Sequence, residues 1–390
     1  MKHKTITAND NISDLQLMGF FEGDGCLEFP ISCSTPGKVF FSLVASFTQH
    51  ARNIEILEIM KIKLCTPNKI HNNANQCKLV ITFKDNCKSS EMLLNILDKH
   101  NPVNPGYYHD YLIVLLFMEI KKTNTLPLTG TLLSMYNAKS ELEKKRSIML
   151  TLLWLRFNRV AQTKDRKTLK TINDYYQHCL ATQEEIAESE IFGAHLLKPI
   201  KLKVDQLILD LKQNQIDISK EFLSFYHVAD GSFKCEVQLL TKENNRPVIQ
   251  IVPCWQITDD HFSDPLLMRI KQQYAMSTMS RPTKENTIHL RANGWKQLEQ
   301  VVIPFFRSVD LPSREFEKFK KVERLFELYK DPNTFKNYDL FLEYVEIAYC
   351  LNIDDGELGS NTRRTYAEFE KKYIPFIKKV FEFNNTNASS

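Results

Sequence analysis

Two apolar segments of this chain end in the same way, in a small residue, an aspartate and a glycine. The first reads Leu17-Met18-Gly19-Phe20-Phe21-Glu22-Gly23-Asp24-Gly25. The second reads Leu223-Ser224-Phe225-Tyr226-His227-Val228-Ala229-Asp230-Gly231, so the two acids stand 206 positions apart. Capping residues precede both segments, Ser13 in one case and Asp217 or Ser219 in the other, and both run on into strand-like alternation. A carboxylate at a helix C-terminus faces the negative end of the dipole and costs stability. One such Asp-Gly is ordinarily only a turn. Two in matching contexts point to a compensating cation. The glycine after each acid is expected to let the chain turn sharply out of its helix. Helices packed side by side would bring Asp24 and Asp230 together, and two carboxylates with exposed carbonyls suit a hard cation such as Mg²⁺.

The segments downstream of the two motifs repeat as well. After the first come strands over Leu27 to Ile31 and Val39 to Thr48, an amphipathic helix carrying Ile54, Leu57, Ile59 and Ile62, a strand with Leu79, Ile81 and Phe83 on one face, and a helix over Glu91 to Asp98. After the second comes a strand in which Phe233, Cys235, Val237 and Leu239 alternate with Lys234, Glu236 and Gln238. Then come a strand over Val248 to Ile257, a helix near Leu266 to Tyr274, a strand over Thr287 to Ala292 and a helix from Trp295 to Phe306. The chain thus holds two α–ββ–α–β–α units. We place the first half at 12–146, a helical connector at 147–215, the second half with C-terminal helices at 216–380, and a disordered polar tail at 381–390.

Composition narrows the class. With 390 residues, 43% hydrophobic and 25% charged, the chain has the make-up of a globular protein of two domains or more. No run of eighteen apolar residues predicts a membrane span, and the N-terminus has neither a signal core nor the pattern of a transit peptide. The nine cysteines form no CxxC pair and no zinc spacing, and we read them as reduced thiols on mostly apolar faces. The net charge of +4 permits a polyanionic partner without requiring one. From Lys139 to Lys170, ten Lys/Arg against three Asp/Glu make a local basic stretch.

With these motifs in hand, the chain resembles the LAGLIDADG homing endonucleases of the single-chain, two-motif type. LMGFFEGDG is a close match and LSFYHVADGSF a worn one. The resemblance extends to ASFTQHARNIEILEIMKIKL and its counterpart CWQITDDHFSDPLLMRI, to LPLTGTLLSMYNAKSELEKK, to NGWKQLEQVVIPFF, and to EIAYCLNIDDGE followed by Arg363-Arg364. It implies an α+β fold of two pseudo-symmetric halves, each a curved antiparallel sheet with helices on one face, joined by a helical connector. It further implies a monomer that hydrolyses a long double-stranded DNA target with Mg²⁺ (or Mn²⁺). Asp24 and Asp230 would bind metal with the carbonyls of Gly23 and Ala229, and Gln49 and Asp259 would be the polar solvent-organising residues. DNA contacts would come from Lys78, Thr82, Lys84, Lys234, Glu236, Gln238, His289, Arg291 and Asn293, because side chains at period two on a sheet can follow successive base edges.

The match departs from the family in two places. Val228 replaces the acid that the first copy keeps as Glu22, an acid that usually serves a helix cap. The family's lysine is missing in the first half, where Leu132 stands at the expected place after Leu126-Pro127-Leu128, while Arg314 stands near that place in the second half. The alternative role is therefore a weakly cutting or inactive RNA/DNA-binding maturase acting on group I intron RNA. The resemblance points to an organelle, the mitochondrion ahead of the chloroplast, and to no membrane partner.

Overall fold

The computed structural model describes residues 5–7, 10–33, 39–73, 75–84, 87–158, 171–242, 246–280, 287–351 and 365–388. The chain divides into two compact units. One comprises Asn11–Asp217 with Phe262–Arg269, and the other Met1–Asp10, Ile218–His261 and Ile270–Ser390. Both are α+β, with antiparallel main sheets.

In the unit that carries the first motif, Ser13 opens the helix Asp14–Asp24 with a complete capping box. Its hydroxyl accepts the Gln16 N–H and its own N–H donates to the Gln16 side chain. Leu17 through Glu22 are buried. The helix runs straight into strand Gly25–Glu28, the edge of a sheet ordered Gly25–Glu28, Val44–His50, Gln76–Thr82, His71–Asn72. Period-two alternation puts Leu27, Ala45, Phe47, Leu79 and Ile81 on the buried face. There Phe47 meets the rings of Phe20 and Phe21 at 6.2 and 5.5 Å.

Both strands expected here are interrupted. Pro30 has no N–H to offer the ladder, and the chain resumes as a separate ribbon of Ile31–Cys33 against Val39–Phe41. The Ser42 N–H closes the break by donating to the Pro30 carbonyl at 3.0 Å.

The connector region is helical, with Glu141–Phe157, Ile172–His178 and Gln183–Lys212. The first of these helices starts before residue 147, and the stretch expected to be a connector lies within this same unit. A Cβ on Gly193 would lie 2.2 Å from the Trp154 ring, so glycine permits the close approach of the first and third helices. The basic stretch expected from Lys139 to Lys170 falls outside the described residues beyond Asn158, as do Arg363 and Arg364.

In the other unit, Ser219 rather than Asp217 caps the helix Lys220–Asp230, accepting the Phe222 N–H at 3.1 Å. The sheet is ordered Thr278–Ser280, Thr287–Asn293, Pro247–Asp260, Gly231–Thr241. The last two strands pair without a break from Gly231 opposite Ile257 to Thr241 opposite Pro247. Phe233, Trp255, Ile257, Ile288 and Leu290 form its buried face. The helix Gly294–Gln297 continues through a π segment at Leu298–Val302 into Ile303–Phe306. A second π segment, Phe369–Tyr373, also immediately precedes an Ile-Pro-Phe sequence. A proline that cannot donate to the preceding turn widens the helix at both places.

Two features depart from expectation. Strand Thr5–Ile6 pairs in parallel with Leu311–Pro312, immediately before helix Ser313–Lys330. Helix Ile374–Ala388 also occupies most of the tail expected to be disordered. Buried Ile377 and Val380, and a Phe381 ring 5.5 Å from Tyr338, anchor it. All nine cysteines are reduced thiols, but only Cys77, Cys179 and Cys235 are buried, while Cys33 and Cys65 are exposed. Alternation is therefore a weaker guide to thiol burial than to the aliphatic core. Among the described residues no helix is long and apolar enough to cross a membrane.

Candidate active site

Each motif helix ends on its aspartate, and Asp24 and Asp230 are both half-buried. The glycines after them do not turn through left-handed backbone. Gly25 has φ −79° and ψ 167°, and Gly231 has φ −92° and ψ 162°, both extended. What requires glycine is space. A Cβ at Gly25 would lie 2.3 Å from the Phe21 carbonyl and 2.4 Å from its ring, and one at Gly231 would lie 1.9 Å from His227 Nδ1. This corrects the expectation of a conformational role. The helix enters the strand with its last N–H still bonded to the residue four back, to Phe21 and His227 respectively, and only a missing side chain lets it do so.

The polar partners of the acids occupy one register. Gly25 faces Phe47 and Gly231 faces Ile257, so Gln49 and Asp259 each stand two residues further along the neighbouring strand. Their contacts differ. The Gln49 amide donates to Asp24 Oδ2 and is itself held by Asn53 Nδ2 on its oxygen at 2.7 Å. Asp259 does not bring a second donor of that kind. It accepts the Tyr226 hydroxyl from the motif helix and the Asp260 N–H at 2.7 Å. The first copy has Phe20 where the second has Tyr226, which explains why only the second can make that bond. Tyr107, which no sequence pattern singles out, donates its hydroxyl to the Gly25 carbonyl and lies 3.4 Å from that of Gly23. Nothing in the sequence links a tyrosine 82 positions away to this turn.

Glu22 is fully buried, and its carboxylate accepts the N–H groups of Val103 at 3.0 Å and Asn104 at 2.6 Å. It thus holds the start of helix Pro105–Thr123, as the expected capping role requires. In the second copy, His227 takes the place of Phe21. Its Nδ1 accepts the Trp255 indole N–H at 2.9 Å, which leaves the ring proton on Nε2. Glu315 Oε2 is 3.7 Å from that nitrogen, beyond hydrogen-bond reach, and Lys318 already neutralises this carboxylate at 2.6 Å. Burial, with a smaller contribution from Lys318, pushes the imidazole down to about 3.

The internal repeat gives Arg314 a counterpart position in the first half. Arg314 is the second residue of helix Ser313–Lys330, and the equivalent helix in the first half is Pro105–Thr123. Its second residue is Gly106. Leu132, the vacant position expected from the sequence, lies instead on the next helix, Gly130–Asn137. A Cβ on Gly106 would meet only ordinary contacts, at 3.4 Å from Asn104 Oδ1 and 3.6 Å from Phe262, so there is room for a side chain.

The polar sheet faces are also unequal. In the second half, Lys234 and Asn293 both stand opposite Cys254, and Arg291 stands opposite Gln256, whose amide oxygen accepts the Arg291 Nε–H at 2.9 Å. His289 Nδ1 lies 2.9 Å from the Thr258 hydroxyl, while exposed Glu236 and half-buried Gln238 bond one another further along the strand. Desolvation, with repulsion from Arg291, holds the Lys234 ammonium below the usual lysine range. In the first half, Glu28 has the register position of Lys234 and binds both Lys78 at 2.8 Å and the Ser46 hydroxyl at 2.6 Å. Thr82 ends its strand, and exposed Lys84 lies past the strand end.

Among the described residues, no three His, Cys, Asp or Glu side chains gather into a protein-only metal cage. Each helix end offers one carboxylate beside carbonyl oxygens. Such hard donors fit a cation that keeps most of its waters, as Mg²⁺ does.

No protein-family model and no curated protein sequence matches the chain. Solved structures do. The LAGLIDADG homing endonuclease I-GzeII, in complex with DNA target, aligns at 12% identity over 88% of this chain and 99% of its own, with a TM-score of 0.60. I-SmaMI bound to uncleaved DNA target in the presence of calcium ions aligns at 14% identity over 88% of this chain and 99% of its own, TM-score 0.60. I-SmaMI bound to cleaved DNA gives 12%, 90%, 99% and 0.60. The chain has the fold of the LAGLIDADG homing endonucleases.

Proposed function

We propose that this chain is a site-specific DNA endonuclease that hydrolyses phosphodiester bonds with a divalent cation. The observation that carries this reading is the acid placed twice at the end of a buried helix, each time beside a sheet position occupied by a polar side chain at the same register. Similarity to structures that hold DNA supports it. Asp24 with the carbonyl of Gly23, and Asp230 with that of Ala229, would each serve as ligands to Mg²⁺ (or Mn²⁺). A bound cation of this kind lowers the pKa of an attacking water and stabilises the leaving oxygen. Gln49 orients the Asp24 carboxylate, and Tyr226 ties Asp259 to the second motif helix. Arg314 would place positive charge where the phosphate accumulates negative charge in the second half. Lys78, Lys234, His289, Arg291 and Asn293 would contact the duplex, and Lys84 its backbone.

Cleavage of the uninterrupted DNA flanking the chain's own coding sequence, with Mg²⁺ and with EDTA, tests the reading. Cutting that EDTA abolishes, and that Asp24→Asn and Asp230→Asn each lower by ~10³ or more while target binding persists, is the expected result. No cutting at any metal concentration refutes it. Gly106 favours a second reading, in which the first half cuts slowly or not at all and the scaffold serves binding, group I intron RNA included. Tight binding of that RNA without DNA cleavage would select it.

A further inference from the structure

The two helices downstream of the motif units start in different ways. In the first half, the buried Glu22 carboxylate takes the N–H groups of both residues that precede helix Pro105–Thr123, Val103 and Asn104. In the second half, Val228 stands at the position of Glu22 and brings no acceptor. The donor pair has changed in step with it. Leu311 and Pro312 precede helix Ser313–Lys330, and Pro312 has no N–H. An acid there would find one donor instead of two.

A third segment pairs with these two residues instead. Thr5–Ile6 lies in parallel register with Leu311–Pro312, Thr5 opposite Leu311 and Ile6 opposite Pro312. Ile6 and Leu311 are 5% and 1% exposed, so this two-residue strand is built into the core. Asp10 closes the segment behind it, accepting the Thr7 N–H and hydroxyl at 2.9 Å each. Arg314 comes two residues after Pro312, and Glu315, which lies beside His227 of the motif helix, comes three after it.

We infer that the strand Thr5–Ile6 is a positioning element of the second half. It does for Leu311–Pro312, and through them for Arg314, what the Glu22 carboxylate does for Val103–Asn104. Its connection to the reaction rests on the endonuclease reading above; its structural role does not. The chain has exchanged a side-chain clamp for a backbone clamp at one of two equivalent helix starts. Arg314 therefore depends on residues more than 300 positions before it.

The test removes residues 1–7 from the full chain. Hydrogen exchange read by mass spectrometry is expected to show faster exchange at Leu311 and at 313–317, with 103–108 unchanged. Strand-resolved cleavage of the cognate duplex is expected to fall at least tenfold on one strand and less than twofold on the other, with target affinity held within threefold. Val228→Glu with Pro312→Asn in the truncated chain recreates the first-half pair and is expected to restore both readouts at least in half. Unchanged exchange at 311–317 overturns the inference, and so does an equal loss on both strands or a failure of the double substitution to restore protection. A full-length chain that cuts nothing would refute the endonuclease reading alone, because the exchange experiment still decides whether the N-terminal strand is the clamp.

Discussion

His227 is a buried titratable group that the first motif copy lacks, and His227→Phe converts it to the residue of the first copy. Two effects oppose one another. The Trp255 indole, 1% exposed, loses its acceptor, and leaving a buried donor unpaired costs about 1–3 kcal/mol. Against this stands the linkage to protons. The imidazole's ordinary value of 6.5 is pushed down to about 3 in the fold. Stability from the neutral ring is thus complete above pH 6.5 and is lost as pH falls from 6.5 towards 3, because the unfolded chain takes up the proton first. At about 1.4 kcal/mol per pH unit, the wild type gives up about 2 kcal/mol between pH 6.5 and pH 5, and a phenylalanine gives up none of it. The ring packs between Phe233 and Phe306 at 4.9 and 4.8 Å, spacing that a phenylalanine also suits. Urea unfolding followed by tryptophan fluorescence at pH 7, 6 and 5 is the assay. The variant is expected to be the weaker protein at pH 7 and to draw level by about pH 5. Midpoints of the two proteins that decline in parallel across that range would refute the buried neutral histidine.

Other tests address the same helices. Gly25→Ala puts a methyl group 2.3 Å from the Phe21 carbonyl and is expected to cost about 2 kcal/mol, read as a lowered Tm; an unchanged Tm would mean that the helix–strand junction is looser than described. Asp14 is held well below the usual carboxylate range by hydrogen bonds from Lys63 and Lys99 at 2.8 and 2.9 Å. Its contribution is present above its ordinary value near 3.8 and is lost as pH falls further. Asp14→Asn should therefore cost about 1 kcal/mol at pH 7 and progressively less as pH falls below 3.8, and a cost independent of pH would contradict the ion pairs.

The sequence carries the fold where a period is strong. Alternation from Phe233 to Leu239 predicts a strand that the structure extends unbroken from Gly231 to Thr241, and Ser13 predicts a helix start that has both bonds of its capping box. It is less informative wherever the deciding contact is distant. Pro30 is a visible ladder-breaker, yet alternation alone carries both strands through its neighbourhood. The glycines after the acids are legible as necessary, but the reason lies in ring atoms four residues back and not in their own torsions. Arg314 is legible near the start of its helix, whereas its first-half counterpart emerges only when the starts of the two equivalent helices are matched, which gives Gly106 rather than Leu132. Tyr107 and the strand Thr5–Ile6 reach their partners across long stretches of chain with no periodic signal to announce them.

The break at Pro30 has a further consequence for how a target would be searched in a genome. The unbroken strand Gly231–Thr241 of the second half has 11 residues and spans about 37 Å at the rise of an antiparallel strand, whereas its counterpart Gly25–Glu28 has four and spans about 14 Å. Against a duplex that advances about 3.4 Å per base pair along one strand, those lengths face roughly eleven and four pairs. The two ends of a target would then carry unequal information. Drift in the host sequence opposite the short sheet would be forgiven more readily than drift opposite the long one, and a recogniser of this kind could colonise new sites by relaxing at one end while the other keeps its address.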